Sequence, residues 1–207
     1  MHGGQGRAGP RPRWAPVCLI ALAVGVSTSA RAAEETTDAE ARAAVDRAAE
    51  SVTAGEPAAA VEALREAMLA VWTAAPFALT RIEPSTEAAT GFRAYTPREA
   101  APYPAGTPLH LYIEPIGLDY TLEDGRYAMG LKADFLLLDT KGTILGGQRD
   151  FADVPFRSRV PSTDVFMTMS LGTESLPPND YVLQVTVRDG LGDDSVTEEV
   201  AFTVVAP

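Results

Sequence analysis

The stretch LPPNDYVLQVTVRD, residues 176–189, decides the fold of the C-terminal half of the chain. Apolar side chains occupy every second position from Tyr181 to Val187, and mostly polar ones alternate with them. This period of two is typical of an antiparallel strand with one face on a core and the other in solvent. The turn-forming residues Pro177 to Asp180 precede the run. We therefore predict a long, half-buried strand that is entered from a tight turn.

The same alternation recurs along the rest of this half. Further strands are predicted over residues 109–114, 127–137, 165–171 and 200–204, and near 92–95 and 143–151. Gly146 and Gly147 lie within one of these runs, which indicates a β-bulge or a bend. Short runs rich in Gly, Pro and Asp separate the strands. About seven closely spaced strands are the pattern of an antiparallel β-sandwich.

Tyr181 carries a resemblance to a known family. The stretch 176–189 resembles the late strand of immunoglobulin-like and fibronectin-like domains, in which a tyrosine hydroxyl bonds back to the preceding backbone. Leu183 stands where an antibody domain has its second cysteine, and this half of the chain has no Trp, so the antibody type is excluded. The likeness covers residues 92–207 and is to the immunoglobulin-like domains of bacterial exported proteins, which implies a binding or spacer role. An ordinary half-buried strand tyrosine is the alternative interpretation.

The preceding segment, residues 33–75, is rich in alanine and charge and has apolar residues at helical spacing. We expect Asp38 to cap a first helix, Gly55 to end it, and Pro57 to begin a second helix that runs to about Thr73. The apolar face of the first helix is predicted to be Ala44, Val45, Ala48, Ala49 and Val52. The stronger stripe of the second is Val61, Leu64, Met68, Leu69, Val71 and Trp72. The short break predicts a two-helix hairpin whose second helix packs on the rest of the protein or on a partner, with residues 76–91 as a linker.

Residues 1–32 have the features of a cleavable export signal. Three arginines precede the uncharged run APVCLIALAVGV (residues 15–26), and Ala30-Arg31-Ala32 forms an A-x-A cleavage site. The run is shorter than the roughly 20 apolar residues that span a bilayer. We therefore predict a periplasmic or secreted bacterial protein with no membrane span after the leader is removed.

Removing this leader changes the chemistry that is available to the chain. It takes away Cys18, the one cysteine, and four of the 17 basic residues but none of the 28 acidic ones, so the net charge falls from −11 to −15. Without a thiol, neither a disulfide nor a thiolate metal site can form. A body this acidic repels nucleic acid, so we expect no nucleic-acid partner.

The sequence offers few catalytic groups. Once the leader is removed, His110 is the one remaining histidine, and it is predicted on the polar face of a strand. No G-x-S-x-G motif is present, and the acidic residues are scattered over turns without a recognisable pair. We therefore expect no enzymatic activity, no catalytic residues and no cofactor.

An acidic turn, Asp189 to Asp194, raises the possibility of calcium binding, because Ca²⁺ prefers oxygen ligands clustered in a loop. The turn lacks the ligand spacing of an EF-hand. A solvated hairpin loop is the default interpretation.

The segment FADVPFRSRVPSTD, residues 151–164, is the local exception to the acidic surface. It is predicted as a long connection between strands, and Phe156, Arg157 and Arg159 are candidate partner-binding residues, because an arginine beside an aromatic is typical of interface hot spots. In the alternative, the arginines pair with neighbouring aspartates and hold the connection in place.

These observations predict a mainly β protein, in which a two-helix hairpin precedes an immunoglobulin-like β-sandwich of residues 92–207. We expect it to be a non-catalytic binding or scaffolding module that contacts another protein of the cell envelope. The alternative is an accessory protein that binds a cation such as calcium or a small polar molecule.

Overall fold

A computed structural model describes the backbone of residues 28–207 and the side chains of residues 37–207. Most of the predicted leader lies outside these residues. Within the described backbone, two helices precede nine strands: α1 Thr28–Thr53, α2 Pro57–Ala74, β1 Ala78–Ser85, β2 Tyr103–Pro104, β3 Leu109–Ile116, β4 Thr121–Glu123, β5 Arg126–Asp139, β6 Ile144–Ser158, β7 Met167–Leu171, β8 Asn179–Asp189 and β9 Ser195–Val205. The prediction of a mainly β chain with a helical N-terminal segment is confirmed.

The strands form two sheets. Strands β1, β3 and β7 make a three-stranded antiparallel sheet in that order. The larger sheet has the order β2-β9-β8-β5-β4, with β6 paired along β5, and every pair in it is antiparallel except the short parallel pair β2 and β9. The stretch quoted first, 176–189, supplies β8, which lies between β5 and β9 at the centre of this sheet.

The two sheets share one hydrophobic core. Alternate residues of β8 from Tyr181 to Val187 are at most 2% exposed, as their period of two predicts. Leu109, Leu111 and Ile113 of β3 belong to the same core, so the buried faces of the two sheets meet. The β region, residues 78–205, is thereby held together without any cysteine.

Three sequence-based boundaries are corrected. The predicted linker 76–91 contains strand β1, and the strand expected near 92–95 is a turn closed by a single bridge between Gly91 and Ala94. A register shift between Leu79 and Arg81 brings Leu79 and Ile82 onto the core together, which breaks the alternation that would have revealed β1. The connection expected over residues 151–164 is strand as far as Ser158.

The helical prediction is confirmed for α2 and corrected for α1. Helix α1 is described from Thr28 onward, and Asp38 lies within it, where its carboxylate is 3.9 Å from the guanidinium of Arg42 one turn later. Residues 28–37 contain alanine and glutamate but no Gly or Pro, so nothing local stops the helix from extending. Among the described residues, no helix is both long and apolar enough to cross a membrane.

Candidate partner-binding surface

Helices α1 and α2 pack against each other through alanines. Ala44 and Ala48 of α1 and Ala60, Ala63 and Ala67 of α2 are all at most 6% exposed. Alanine side chains let two helix backbones approach closely, which leaves no room for larger residues between them. The small residues therefore form the helix–helix contact, and the large ones are displaced to its side.

Six large apolar residues of the hairpin are exposed. They are Val45, Val52, Val61, Leu64, Met68 and Val71, with 46–66% of each residue exposed. This is a correction: within the predicted α2 stripe, Trp72 alone is buried. The four α2 residues follow the spacing i, i+3, i+7, i+10, and the two α1 residues the spacing i, i+7, so each set lies along one side of its helix. We call these six residues the apolar hairpin face.

An ion pair between the two helices lies on the opposite side of the hairpin. Arg47 of α1 and Glu66 of α2 form an ion pair at 2.5 Å beside Ala43 and Ala70. On the apolar side, a groove of about 530 Å³ runs between the helices, and Val45, Ala67, Met68 and Val71 contribute to its lining together with Asp38, Ala41, Arg42 and Asp46. The two sides of the hairpin therefore differ in that the exposed large apolar residues lie on one of them.

Trp72 attaches the hairpin to the β region. It is 6% exposed, and its Nε1 donates a hydrogen bond to the carbonyl oxygen of Leu118 at 3.2 Å. Gly117 permits the close approach: its φ is +75°, and an added Cβ would lie 2.5 Å from the carbonyl oxygen of Ala75. The hydroxyl of Thr163 contacts the sulfur of Met68 at 3.6 Å. The hairpin is thus held at the C-terminal end of α2, where the exposed face meets the β region.

A second cavity, of about 360 Å³, continues from this face into the β region. Met68, Val71 and Trp72 line it from α2, and Phe92, Arg93, Glu114 and Asp164 are among the residues that line its far side. It combines aromatic and aliphatic walls with a few charged groups, which is the composition of many small-molecule sites.

Glu114 fixes the far wall of this cavity. Its side chain is 6% exposed, and its carboxylate accepts hydrogen bonds from Arg93 Nη2 at 2.6 Å, Arg93 Nε at 3.2 Å and the Tyr112 hydroxyl at 3.2 Å. The Arg93 hydrogen bonds hold the pKa of Glu114 below its ordinary value of 4.5. Arg93 has a φ of +56°, and its amide donates to the Tyr112 hydroxyl at 3.0 Å. The pair therefore clamps the turn over residues 91–94 onto the three-stranded sheet and presents Phe92 and Arg93 to the cavity.

The candidate residues Phe156, Arg157 and Arg159 lie elsewhere. Phe156 is half-buried in β6 and packs on the core, whereas the neighbouring Arg157 is exposed and its guanidinium lies 3.1 Å from the carboxylate of Glu123. Arg159 is exposed just beyond the end of β6. Of the three neighbouring aspartates expected to pair with these arginines, Asp150, Asp153 and Asp164, the first pairs with Arg188 and the second with Lys132. A recognition role for the three residues stays a prediction.

The acidic turn is organised by backbone amides. Asp189 is 5% exposed and accepts hydrogen bonds from the amides of Asp119, Leu191 and Gly192 at 2.8–3.3 Å. Burial, with Asp189 and Asp194 nearby, raises the pKa of Asp119. In the described part of the chain, no group of three or more His, Cys, Asp or Glu residues is arranged to hold a metal ion. The Asp189 carboxylate therefore serves to shape the turn.

Comparison with known proteins finds a distant likeness to solved structures. No protein-family model matches the chain, and no curated protein matches it. Among solved structures, the chain is similar to the Pseudomonas fluorescens alkylpurine DNA glycosylase AlkC bound to DNA containing an abasic site analog, with 9% sequence identity and a TM-score of 0.32. The match covers 88% of this chain and 50% of that chain, so this chain spans half the length of the protein it matches.

This comparison corrects two expectations. The matched protein is an enzyme bound to DNA, whereas the sequence led us to expect no enzymatic activity and no nucleic-acid partner. Both expectations are withdrawn. A likeness at this TM-score assigns neither an activity nor a ligand to the present chain.

Proposed function

We propose that this protein is an exported protein-binding or scaffolding module of the bacterial cell envelope, and that it binds its partner through the apolar hairpin face. One observation carries the proposal: six large apolar side chains, each 46–66% exposed, lie on a two-helix hairpin. They make up six of the eleven large apolar residues that are exposed in the described part of the chain. Grouped exposed apolar residues of this kind mark interaction sites, whereas single ones do not.

The role that we propose for the β region is that of a rigid immunoglobulin-like support. The orders β1-β3-β7 and β9-β8-β5-β6 are consistent with the two sheets of such domains. Tyr181 adds support, because its hydroxyl donates to the carbonyl oxygen of Pro177 at 2.7 Å, as the tyrosine at the start of the corresponding strand does in that family. A support of this kind holds the hairpin at a fixed position through Trp72.

The location in the envelope rests on the features of residues 1–32. The positive start, the short apolar run and the A-x-A site are those of an export signal. The partner is accordingly sought among periplasmic and secreted proteins.

Affinity capture from envelope extracts tests the proposal. The bait is the chain without its leader, and it is compared with a variant in which Leu64 and Met68 are both replaced by Gln. Gln keeps the helix propensity while it removes apolar surface. Glu62→Gln is the matched control, because Glu62 is exposed and pairs with Arg65 within α2.

We expect the wild type and the Glu62→Gln control to recover the same protein in a stoichiometric amount, and the double variant to lose it. A third bait, with Phe156, Arg157 and Arg159 replaced by Ala, tests the surface predicted from the sequence. If that bait alone lost the partner, binding would lie on β6 and not on the hairpin. Failure of the wild type to recover any stoichiometric partner would contradict the proposal.

The cavity beside Trp72 favours a second candidate function, an accessory protein that binds a small polar molecule. A ligand that binds the folded state raises the unfolding temperature by mass action. Thermal unfolding is therefore measured with millimolar calcium and with a panel of amino acids and monosaccharides. A shift that the Arg93→Gln variant lacks supports this function, whereas no shift with any of them counts against it.

A further inference from the structure

The apolar hairpin face has the shape of two helices of a bundle from which a third is missing. The groove between α1 and α2 is bounded by Val45 on one side and by Met68 and Val71 on the other. A helix buries its apolar stripe against other elements, and a groove between two helices accommodates a third. The elongated form of the surface therefore fits a helix better than a loop.

The length of the face sets the length of the helix that it accommodates. From Val61 to Val71 the stripe spans ten residues, which is about 15 Å at the 1.5 Å rise per residue of a helix. This corresponds to about three turns, so the complementary apolar residues of a partner recur at i, i+3 or i+4, and i+7.

The charge beside the groove favours a partner that is positively charged. Asp38, Arg42 and Asp46 lie along α1, and Arg42 is within 4 Å of Asp38. Asp46 has no ion pair among the described residues, which leaves a negative charge beside the apolar groove. The whole chain carries a net charge of −11. A basic partner is therefore attracted, and its encounter is accelerated.

The same charge disfavours a second copy of this chain. A symmetric pair formed through this face would bring the two acidic chains together, and Asp38, Arg42 and Asp46 of each copy would lie near the contact with one excess negative charge per copy. Like charges that meet across an interface are unfavourable. A basic partner of different sequence avoids this repulsion.

We infer that the hairpin binds a basic amphipathic helix, three to four turns long, that lies in the groove as the third helix of a bundle. The inference rests on the proposed function, since it names the kind of partner that the apolar hairpin face takes. The partner's apolar side contacts Met68, Val71 and Val45, and its flanking lysines or arginines face Asp46.

The probes that test this inference are three labelled 18-residue peptides. Each is built on alanine with leucines at helical spacing. The first has lysines beside the leucine stripe, the second has glutamates there, and the third is the lysine peptide with a central proline that breaks the helix. Fluorescence anisotropy measures the affinity of each for the chain without its leader, at low and at high salt.

The lysine peptide is expected to bind at least tenfold more tightly than the glutamate and the proline peptides. Its affinity should fall at least tenfold in the Leu64→Gln, Met68→Gln double variant and should be unchanged in Glu62→Gln. Asp46→Asn should reduce the preference for lysine over glutamate. Binding that is equal for all three peptides, or unaffected by the double variant, overturns the inference.

Two further measurements separate this inference from the proposed function. If sedimentation shows a dimer that the double variant disperses, the face is occupied by a second copy and the helix partner is wrong. If envelope capture recovers a partner through Leu64 and Met68 while the lysine peptide fails to bind, the proposed function stands and the basic helix is wrong. If neither a partner nor the peptide binds, both are wrong.

Discussion

Two neighbouring residues of α2, Ala63 and Leu64, provide a sharp test of how the hairpin packs. Ala63 is 6% exposed in the contact with α1, whereas Leu64 is 52% exposed. Changing Ala63 to Leu forces three extra carbon atoms into a close helix–helix contact. Changing Leu64 to Gln replaces a side chain that is already half in water by another good helix former.

The two changes are expected to differ in cost. Overpacking a tight contact costs about 1–3 kcal/mol, so Ala63→Leu should lower the free energy of unfolding by this amount. Full burial of a leucine contributes about 1.5–3 kcal/mol, and Leu64 has buried about half of its surface. Half of that range, about 0.8–1.5 kcal/mol, is the upper limit for Leu64→Gln, because glutamine keeps the Cβ and Cγ carbons. The substitution at Ala63 is therefore expected to lower the free energy of unfolding more than the substitution at Leu64, although Ala63 is the smaller residue.

Urea unfolding of the chain without its leader measures both effects. Circular dichroism at 222 nm follows the helices, and fluorescence follows Trp72, which is the one tryptophan left when Trp14 has been removed with the leader. The reasoning is refuted if Leu64→Gln costs more than about 2 kcal/mol while Ala63→Leu is neutral or stabilising. In that case the helices pack through their large residues, and the apolar hairpin face does not exist.

Three further predictions concern the β region. Glu114→Gln should cost about 1.5–3 kcal/mol at pH 7, because it removes charge-assisted hydrogen bonds from Arg93 to a buried carboxylate; urea unfolding measures it. The folded pKa of Glu114 is depressed, so this stabilisation is present above the ordinary value of 4.5 and is lost as the pH falls through the folded pKa. The difference in free energy of unfolding between wild type and variant should therefore shrink at low pH. A constant difference down to pH 2.5 would exclude the ion pair as its cause. Tyr181→Phe should lower the free energy of unfolding by about 1 kcal/mol through loss of the hydrogen bond to Pro177, and no loss would mean that the hydroxyl is bonded to water. Gly117→Ala should cost at least ~1 kcal/mol, because the φ at this position is positive and the added Cβ would contact backbone atoms. The substitution should also shift the fluorescence of Trp72 to the red. An unchanged spectrum would show that the hairpin does not depend on this close approach.

The sequence predicts those parts of the fold in which local pattern and burial agree. The alternation from Tyr181 to Val187 predicts β8, and the helix of Pro57–Ala74 follows from its own start signal and apolar spacing. Strand β1 escapes prediction because the register shift next to Leu79 hides its alternation. The early start of α1 escapes because Asp38, a good capping residue, is equally able to lie inside a helix and pair with Arg42.

The candidate surface is harder to predict than the helices that carry it. Periodicity identifies an apolar stripe at Val61, Leu64 and Met68, but a parallel stripe of alanines runs beside it at Ala60, Ala63 and Ala67, and the choice between them depends on the facing helix. One local signal favours the alanine stripe as the contact: α1 also has small residues four apart, at Ala44 and Ala48. Two matching alanine stripes favour close packing and leave the large residues outside.

The clamp at Glu114 depends on contacts that no local pattern reveals. Its partner Arg93 lies 21 residues earlier, in a turn that the sequence pattern suggested was a strand. The candidates Phe156 and Arg157 were adjacent in sequence and expected together in a loop. Because they lie in strand β6, Phe156 packs on the core while Arg157 remains exposed.

Site-specific photo-crosslinking in intact cells tests the central claim most directly. A photoreactive amino acid is placed at Met68 on the apolar hairpin face, and at Glu62 and Arg157 as controls on other surfaces. We predict that Met68 captures one envelope protein, and that neither control captures it. If Arg157 captured a partner while Met68 captured none, or if all three positions remained uncrosslinked, the claim that the apolar hairpin face binds a partner would be contradicted.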